Sequence, residues 1–191
     1  MADSLRERKR EQTKLALQAA AIRLFNERGY GATSVDDIAD AANVSRRTFV
    51  RYFGSKEGVL FSEADESGER LREALLRQPP DKGPLRAFGD AVIALAEEVG
   101  EGDQVLAQQR AMTSTFELRS RAAEISRVWR RRLAEALAAR AGRHEATETD
   151  LLAAAVGIAV VQTVVEEWVL SDGQEALVAR LRRGFEVVAQ I

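Results

Sequence analysis

Arg46, Arg47, Thr48 and Arg51 stand within six residues of one another, directly after Ser45. Guanidinium groups bond bidentately to guanine edges and to phosphates, and a threonine hydroxyl serves either partner. Their spacing places them on the exposed face of one short helix capped by Ser45, with Val50 beside them and Phe49 and Phe53 turned inward. The free N–H groups and positive dipole end of that helix point outward. Two Arg and a Thr on such a first turn suit contacts in a DNA major groove. Other chemistries are poorly provided for. The chain has no Cys and a single His, His144, in a Gly-Arg-His-Glu loop. Thiol nucleophiles, disulfides, Cys-ligated zinc and any site needing two imidazoles are therefore excluded. Glu97-Glu98 and Glu166-Glu167 are adjacent pairs that diverge by about 100° on a helix, which suits no carboxylate dyad. With no glycine-rich phosphate loop and no nucleophile elbow, no catalytic residue, metal ligand or cofactor is expected.

The elements that must position these residues are helices. Pro79, Pro80 and Pro84 fall in one connector, and the segments on both sides are free of proline. Proline costs about 3 kcal/mol inside a helix, so this confinement predicts helix nearly everywhere else. Period and punctuation place about nine helices in the 191 residues. They cover about Thr13–Arg28, Val35–Ala41 after Ser34, the segment from Ser45 to Phe53, Ser55–Arg77, one opening at Pro84, Asp103–Thr113, one capped by Thr115 and stopping at Gly142, Glu148–Leu170, and Gln174–Ala189. The turn Ala42-Asn43-Val44-Ser45 joins two short helices at a steep angle. Such a turn needs one residue with positive φ, and Asn43 fills the place. The fold class is all-α: a three-helix, helix-turn-helix DNA-binding domain over residues 1–54, then a helical domain over 55–191, with 55–78 as a connecting helix.

Charge follows the same division. The formal charge of −2 averages two unequal parts. Residues 1–56 hold 11 basic and 7 acidic side chains, and the remainder holds 17 basic and 23 acidic. A basic head on an acidic body is the asymmetry expected when one part meets a polyanion. The basic stretch MADSLRERKREQTK is followed by no apolar signal region, and the apolar run Leu151–Val165 is shorter than a bilayer crossing. A buried helix, no membrane partner and a cytoplasmic location are expected.

Thr13 to Lys56 resembles the N-terminal domain of the TetR family of transcriptional regulators. The matching pieces are Ala-Ala-x-x-Leu-Phe-x-x-x-Gly-Tyr at 20–30, Thr33-Ser34, Ile38-Ala39, Ala42-Asn43-Val44-Ser45, Thr48-Phe49 and Tyr52-Phe53-x-x-Lys56-Glu57. The resemblance implies DNA contact by Ser34, Ser45, Arg46, Arg47, Thr48, Val50, Arg51, Tyr52 and Lys56, with Tyr52 and Lys56 holding phosphates. Two positions depart from the family pattern. Asn43 stands where Gly is usual, and Val50 replaces a frequent Tyr, exchanging a phosphate hydrogen bond for an apolar contact.

The resemblance further implies a homodimer whose last two long helices form a four-helix bundle, so Val161, Val165, Leu177, Leu181, Phe185 and Val188 are the expected interface. The segment at 115–121, with Trp129 and Glu166-Glu167-Trp168, resembles C-terminal domains of the acyl-CoA-like ligand-binding type. Arg110, Thr113, Trp129, Gln162 and Glu166 are the expected anchors for a small-molecule effector. The function implied is a repressor that binds a palindromic operator on double-stranded DNA and is released by a hydrophobic effector. A ligand-independent architectural DNA-binding protein is the competing reading, and a helical enzyme using scattered carboxylates a remote one. The proline connector is expected to take up the movement that separates the reading heads.

Overall fold

Helix is found where proline's confinement predicts it. The computed structural model describes residues 2–100 and 102–190, with side chains from residue 7 onward. Among the described residues there is no strand, and ten helices follow one another. They are α1 (Ala2–Arg28), α2 (Val35–Ala41), α3 (Arg46–Phe53), α4 (Lys56–Phe61), α5 (Ala64–Leu76), α6 (Pro84–Val99), α7 (Asp103–Thr113), α8 (Phe116–Arg140), α9 (Glu148–Leu170) and α10 (Leu177–Val188). The expected fourth helix is thus present in two pieces, divided by a turn at Ser62 and Glu63. Gln18 donates to Ser62 Oγ and to Glu63 across 3.1 and 3.2 Å, tying that turn to α1. The first helix starts eleven residues earlier than its apolar stripe suggests, because residues 2–12 contain good helix formers and neither Gly nor Pro.

The chain forms two compact units. The first comprises the residues up to Glu63 together with Ala107–Arg119. Leu17, Ala21, Leu24 and Phe25 of α1 build its core with Ile38, Phe49, Val59 and Leu60. Ala111 and Leu118 belong to the same core, and Asn26 donates to the Ala107 carbonyl at 3.0 Å. The expected boundary at residue 54 therefore falls inside this unit: burial of Val59 and Leu60 keeps α4 with the head, and a later stretch of chain returns to it.

The second unit comprises Ala64–Leu106 and the chain from Ser120 onward. Its centre is a close meeting of α6, α9 and α10. Phe88 of α6 lies over Gly157 of α9, and Phe185 of α10 lies over Gly89 of α6. The two rings are 6.3 Å apart and tilted by 41°. The proline connector is fastened to its neighbours by side-chain contacts. Arg140 is buried and donates to the carbonyls of Pro79 and of Lys82, the latter at 2.7 Å, while Lys82 pairs with Asp90. Helix α9 is long and apolar enough to cross a membrane by length and composition, yet its inner face is packed into this core.

Candidate nucleic-acid interface

Ser34 and Ser45 set up the reading head by ending chain segments in extended backbone and capping α2 and α3. Ser34 Oγ accepts from the Asp37 N–H at 3.0 Å, and Asp37 returns the bond to the Ser34 N–H at 2.8 Å. Hydrogen bonds from the Ser34 hydroxyl and then the Ser34 N–H hold the Asp37 carboxyl below the usual carboxylate range. Asn43 adopts φ 58°, as the turn requires, and the Val44 N–H closes the turn on the Ala39 carbonyl at 2.9 Å. Val44 packs on the core, and Phe49 and Phe53 are buried below the helix. Ser45 Oγ accepts from the Thr48 N–H at 3.2 Å and lies 2.9 Å from the Thr48 hydroxyl. Gly54, at φ 72°, ends α3 after two turns.

With the apolar side of α3 buried, Arg46, Arg47, Val50 and Arg51 are exposed. Arg46 pairs with Asp36 of α2 at 2.7 Å on the surface. Arg47 has no ion-pair partner among the described residues, and the Arg51 guanidinium lies 5.3 Å from the Tyr52 ring centre. Arg47 and Arg51 are accordingly the cations most free to meet an anion. Lys56 is also engaged by the protein's own backbone. Its Nζ is half-buried, donates to the carbonyls of Tyr30 (2.9 Å) and Thr33 (2.8 Å), and sits 4.4 Å from the Tyr30 ring centre. An ammonium has three protons, so one remains for a phosphate. Lys56 thus fastens α4 to the loop between α1 and α2. The Tyr30 hydroxyl donates to Glu57 at 2.6 Å in the same cluster; burial and Glu57 raise the phenol, and the bonds from Tyr30 and Ser55 lower the carboxyl.

The expected effector anchors divide between the two units. Arg110 and Thr113 lie in the first unit, and Trp129, Gln162 and Glu166 in the second. Thr113 turns its hydroxyl back on its own helix, to the Gln109 carbonyl at 3.0 Å. Gln162 is exposed and donates to Ser126 at 3.1 Å, and Arg110 and Glu166 are exposed. Trp129 alone is buried with an unused polar atom: its Nε1 has no hydrogen-bond partner, and its ring lies against the backbone at Gly68. None of the five lines either of two clefts in the second unit, of about 670 and 570 Å³. The larger opens between α6, α9 and α10 at Leu85, Leu152 and Val156. The smaller runs along α9 and α10 past Ala159, Thr163, Gly184 and Val187.

The residues expected at a dimer interface lie at different depths of the second unit. Leu181 and Phe185 are buried in its core, and Val161 and Leu177 pack against that core. Val165 is half-buried, and Val188 lines both clefts. Ala159, Thr163 and Val187 are exposed, while Val156 is half-buried against the same core. Apolar period alone cannot tell the two sides of α9 apart, because the helix is apolar all round.

Sequence relatives agree with this architecture. The family model described as bacterial regulatory proteins, tetR family, matches residues 17–62, and the MftR C-terminal domain model matches residues 82–191. The transcriptional regulator TcmR of Streptomyces glaucescens is 37% identical over 99 residues, which are 52% of this chain and 44% of TcmR. The chain therefore matches less than half the length of that relative. The transcriptional regulator MftR of Mycobacterium tuberculosis is 28% identical over 186 residues, covering 95% of this chain and 91% of MftR. Among solved structures, NalD, the secondary repressor of the MexAB-OprM multidrug efflux pump in Pseudomonas aeruginosa, superposes with a TM-score of 0.68 at 22% identity, over 95% of this chain and 96% of that one. FadR of Bacillus subtilis in complex with stearoyl-CoA gives 0.62 at 23% identity, over 91% and 96%. At such identities the solved structures share the fold. The capped recognition helix, the asparagine turn and the two model matches together place the chain in the TetR family of transcriptional regulators, with a C-terminal domain of the MftR type.

Proposed function

We propose that the chain is a ligand-responsive repressor that acts in the cytoplasm, binds an inverted-repeat operator as a homodimer and is released by a small hydrophobic effector, of which an acyl-CoA is one chemical type. The observation that carries the DNA reading is the exposed face of α3, where Arg47 and Arg51 project beside Val50 with no carboxylate partner. The effector reading is supported by the orphaned Trp129 N–H, because a buried donor without an acceptor costs about 1–3 kcal/mol and is relieved when a ligand supplies one. The fold is also shared with a FadR described in complex with stearoyl-CoA. Ser34, Ser45, Arg46, Thr48 and Tyr52 position or supplement the two central arginines, and Lys56 acts chiefly by holding α4.

A dimer with two reading heads would enter successive major grooves about 34–36 Å apart. An effector would shift the equilibrium only by its differential affinity for the released state. Selection of bound duplexes from a random library should return an inverted repeat, and Arg47→Ala with Arg51→Ala should lower duplex affinity at least about 30-fold, since each base or phosphate contact is worth about 1–3 kcal/mol. Retention of full duplex affinity by that double variant would sink the DNA assignment.

A further inference from the structure

The first unit holds a second cationic feature beside the recognition helix. Lys9, Arg10 and Thr13 of α1 and Arg51 and Tyr52 of α3 line one cleft of about 600 Å³. No carboxylate lines it. Neither Lys9 nor Arg10 has an ion-pair partner among the described residues, and both are exposed. Three cations around one cleft repel one another, and nothing in its walls offsets that repulsion. Tyr52 adds a hydroxyl, while the Thr13 hydroxyl is occupied by the Lys9 carbonyl at 2.8 Å and contributes its methyl side. The arrangement depends on α1 continuing as a helix well before its apolar stripe, because Lys9 and Thr13 share a face only if residues 9–13 are helical. The match to the family model begins at residue 17, so the α1 wall of the cleft lies outside it and the α3 wall inside it.

The geometry points to a phosphate clamp: Lys9 and Arg10, together with Arg51 and Tyr52, grip the sugar-phosphate backbone of duplex DNA beside the groove that α3 reads. This rests on the DNA-binding reading above and extends its footprint. Guanidinium and ammonium groups bind phosphodiesters by charge-assisted hydrogen bonds that carry no sequence information. The clamp therefore adds affinity and salt dependence, and leaves the choice of sequence to Arg47 and its neighbours. A duplex suits the cleft better than a free anion, because Arg51 and Tyr52 are shared with the recognition helix, and an anion held there is continuous with the polyanion on α3.

The test measures affinity for a mixed-sequence duplex by fluorescence anisotropy over a range of salt, for the wild type, Lys9→Ala with Arg10→Ala, and the charge-preserving Lys9→Arg with Arg10→Lys. Alanine is the better helix former, so the first double variant keeps α1 helical. Each neutralised phosphate contributes about 0.9 to the slope of log K against log salt, so K9A/R10A should lower that slope by about 1 to 2 per reading head while the charge-preserving variant retains it. The sequence selected from a random library should be unchanged. A wild-type slope in K9A/R10A would overturn the clamp. Inorganic phosphate that binds the wild type but not K9A/R10A, without weakening duplex binding at constant ionic strength, would overturn it too, assigning the cleft to the free anion. Failure of the wild type to bind any duplex would instead strike the DNA reading, and the two failures are separable because R47A/R51A is measured alongside.

Discussion

Asp150 shows how one side chain can hold a helix end. Its carboxylate is fully buried, and it accepts from Arg143 Nη2 at 2.8 Å, from the Thr147 hydroxyl at 2.7 Å and from the Thr147 N–H at 2.8 Å. The Thr147 hydroxyl in turn caps α9, giving a reciprocal capping box. Arg143 first, then Thr147, holds the carboxyl far below the usual carboxylate range. A depressed carboxyl contributes stability that is present above its unfolded value, near about 3.9, and is lost as pH falls through the folded value. Asp150→Asn should therefore lower unfolding free energy by about 2–3 kcal/mol at neutral pH, and the gap to the wild type should begin to narrow below about pH 4 and shrink steadily as pH falls further. Urea denaturation at a series of pH values checks this; a gap independent of pH would refute the linkage. The Thr-x-x-Asp spacing is legible in the sequence, whereas Arg143 could not be assigned as the partner without the turn that returns it. Lys56 teaches the converse. Its place in the family pattern marked it as a phosphate ligand, but its two carbonyl partners come from a loop more than twenty residues away, which spacing does not reveal.

At the scale of elements, the helix ends were readable and the helix faces less so. Ser34, Ser45 and Pro84 mark starts that the structure keeps, because such signals act locally. Faces depend on what packs against them. Gly157 illustrates this: a Cβ there would come within 2.4 Å of Phe88 Cδ1, and Phe88 is fully buried. The glycine looks like a defect in an apolar helix, yet it is the socket for a ring from α6. Gly157→Ala gains helix propensity of about 1 kcal/mol, but overpacking against an immobile ring costs about 1–3 kcal/mol and should prevail or nearly cancel it. Gly31→Ala meets nothing within 4 Å and should stay within about 0.5 kcal/mol of the wild type. Thermal melts of the two variants give the comparison, and a G157A protein more stable than the wild type by the full propensity gain would show that α6 and α9 can separate freely.

For the molecule as a whole, charge and apolar surface divide the work. The basic side chains of the head are gathered on α3 and the early turns of α1. The second unit leaves an apolar strip of α9 and α10 exposed: only 28% of the most apolar stretch of α9 is buried within the subunit. Val187 is 58% exposed, and the groove beside it is walled by Val156, Ala159, Thr163 and Gly184. Under the proposed dimer, an apolar groove of this kind would take a second copy of the same chain, because a two-fold axis through it would repeat the strip on the partner. Leu181 and Phe185 cannot report on that contact, since charging either would disrupt the subunit core. Ala159→Glu with Val187→Glu places charge on the outer face alone. That variant should keep its far-ultraviolet dichroism and melting transition, sediment as a monomer, and bind an inverted repeat about 10²–10⁴-fold more weakly, because the second head loses the effective concentration that linkage supplies. Its affinity for an isolated half-site should be unchanged. A persistent dimer in sedimentation would place the interface elsewhere, and a monomer that still bound the inverted repeat at full strength would show that one head suffices.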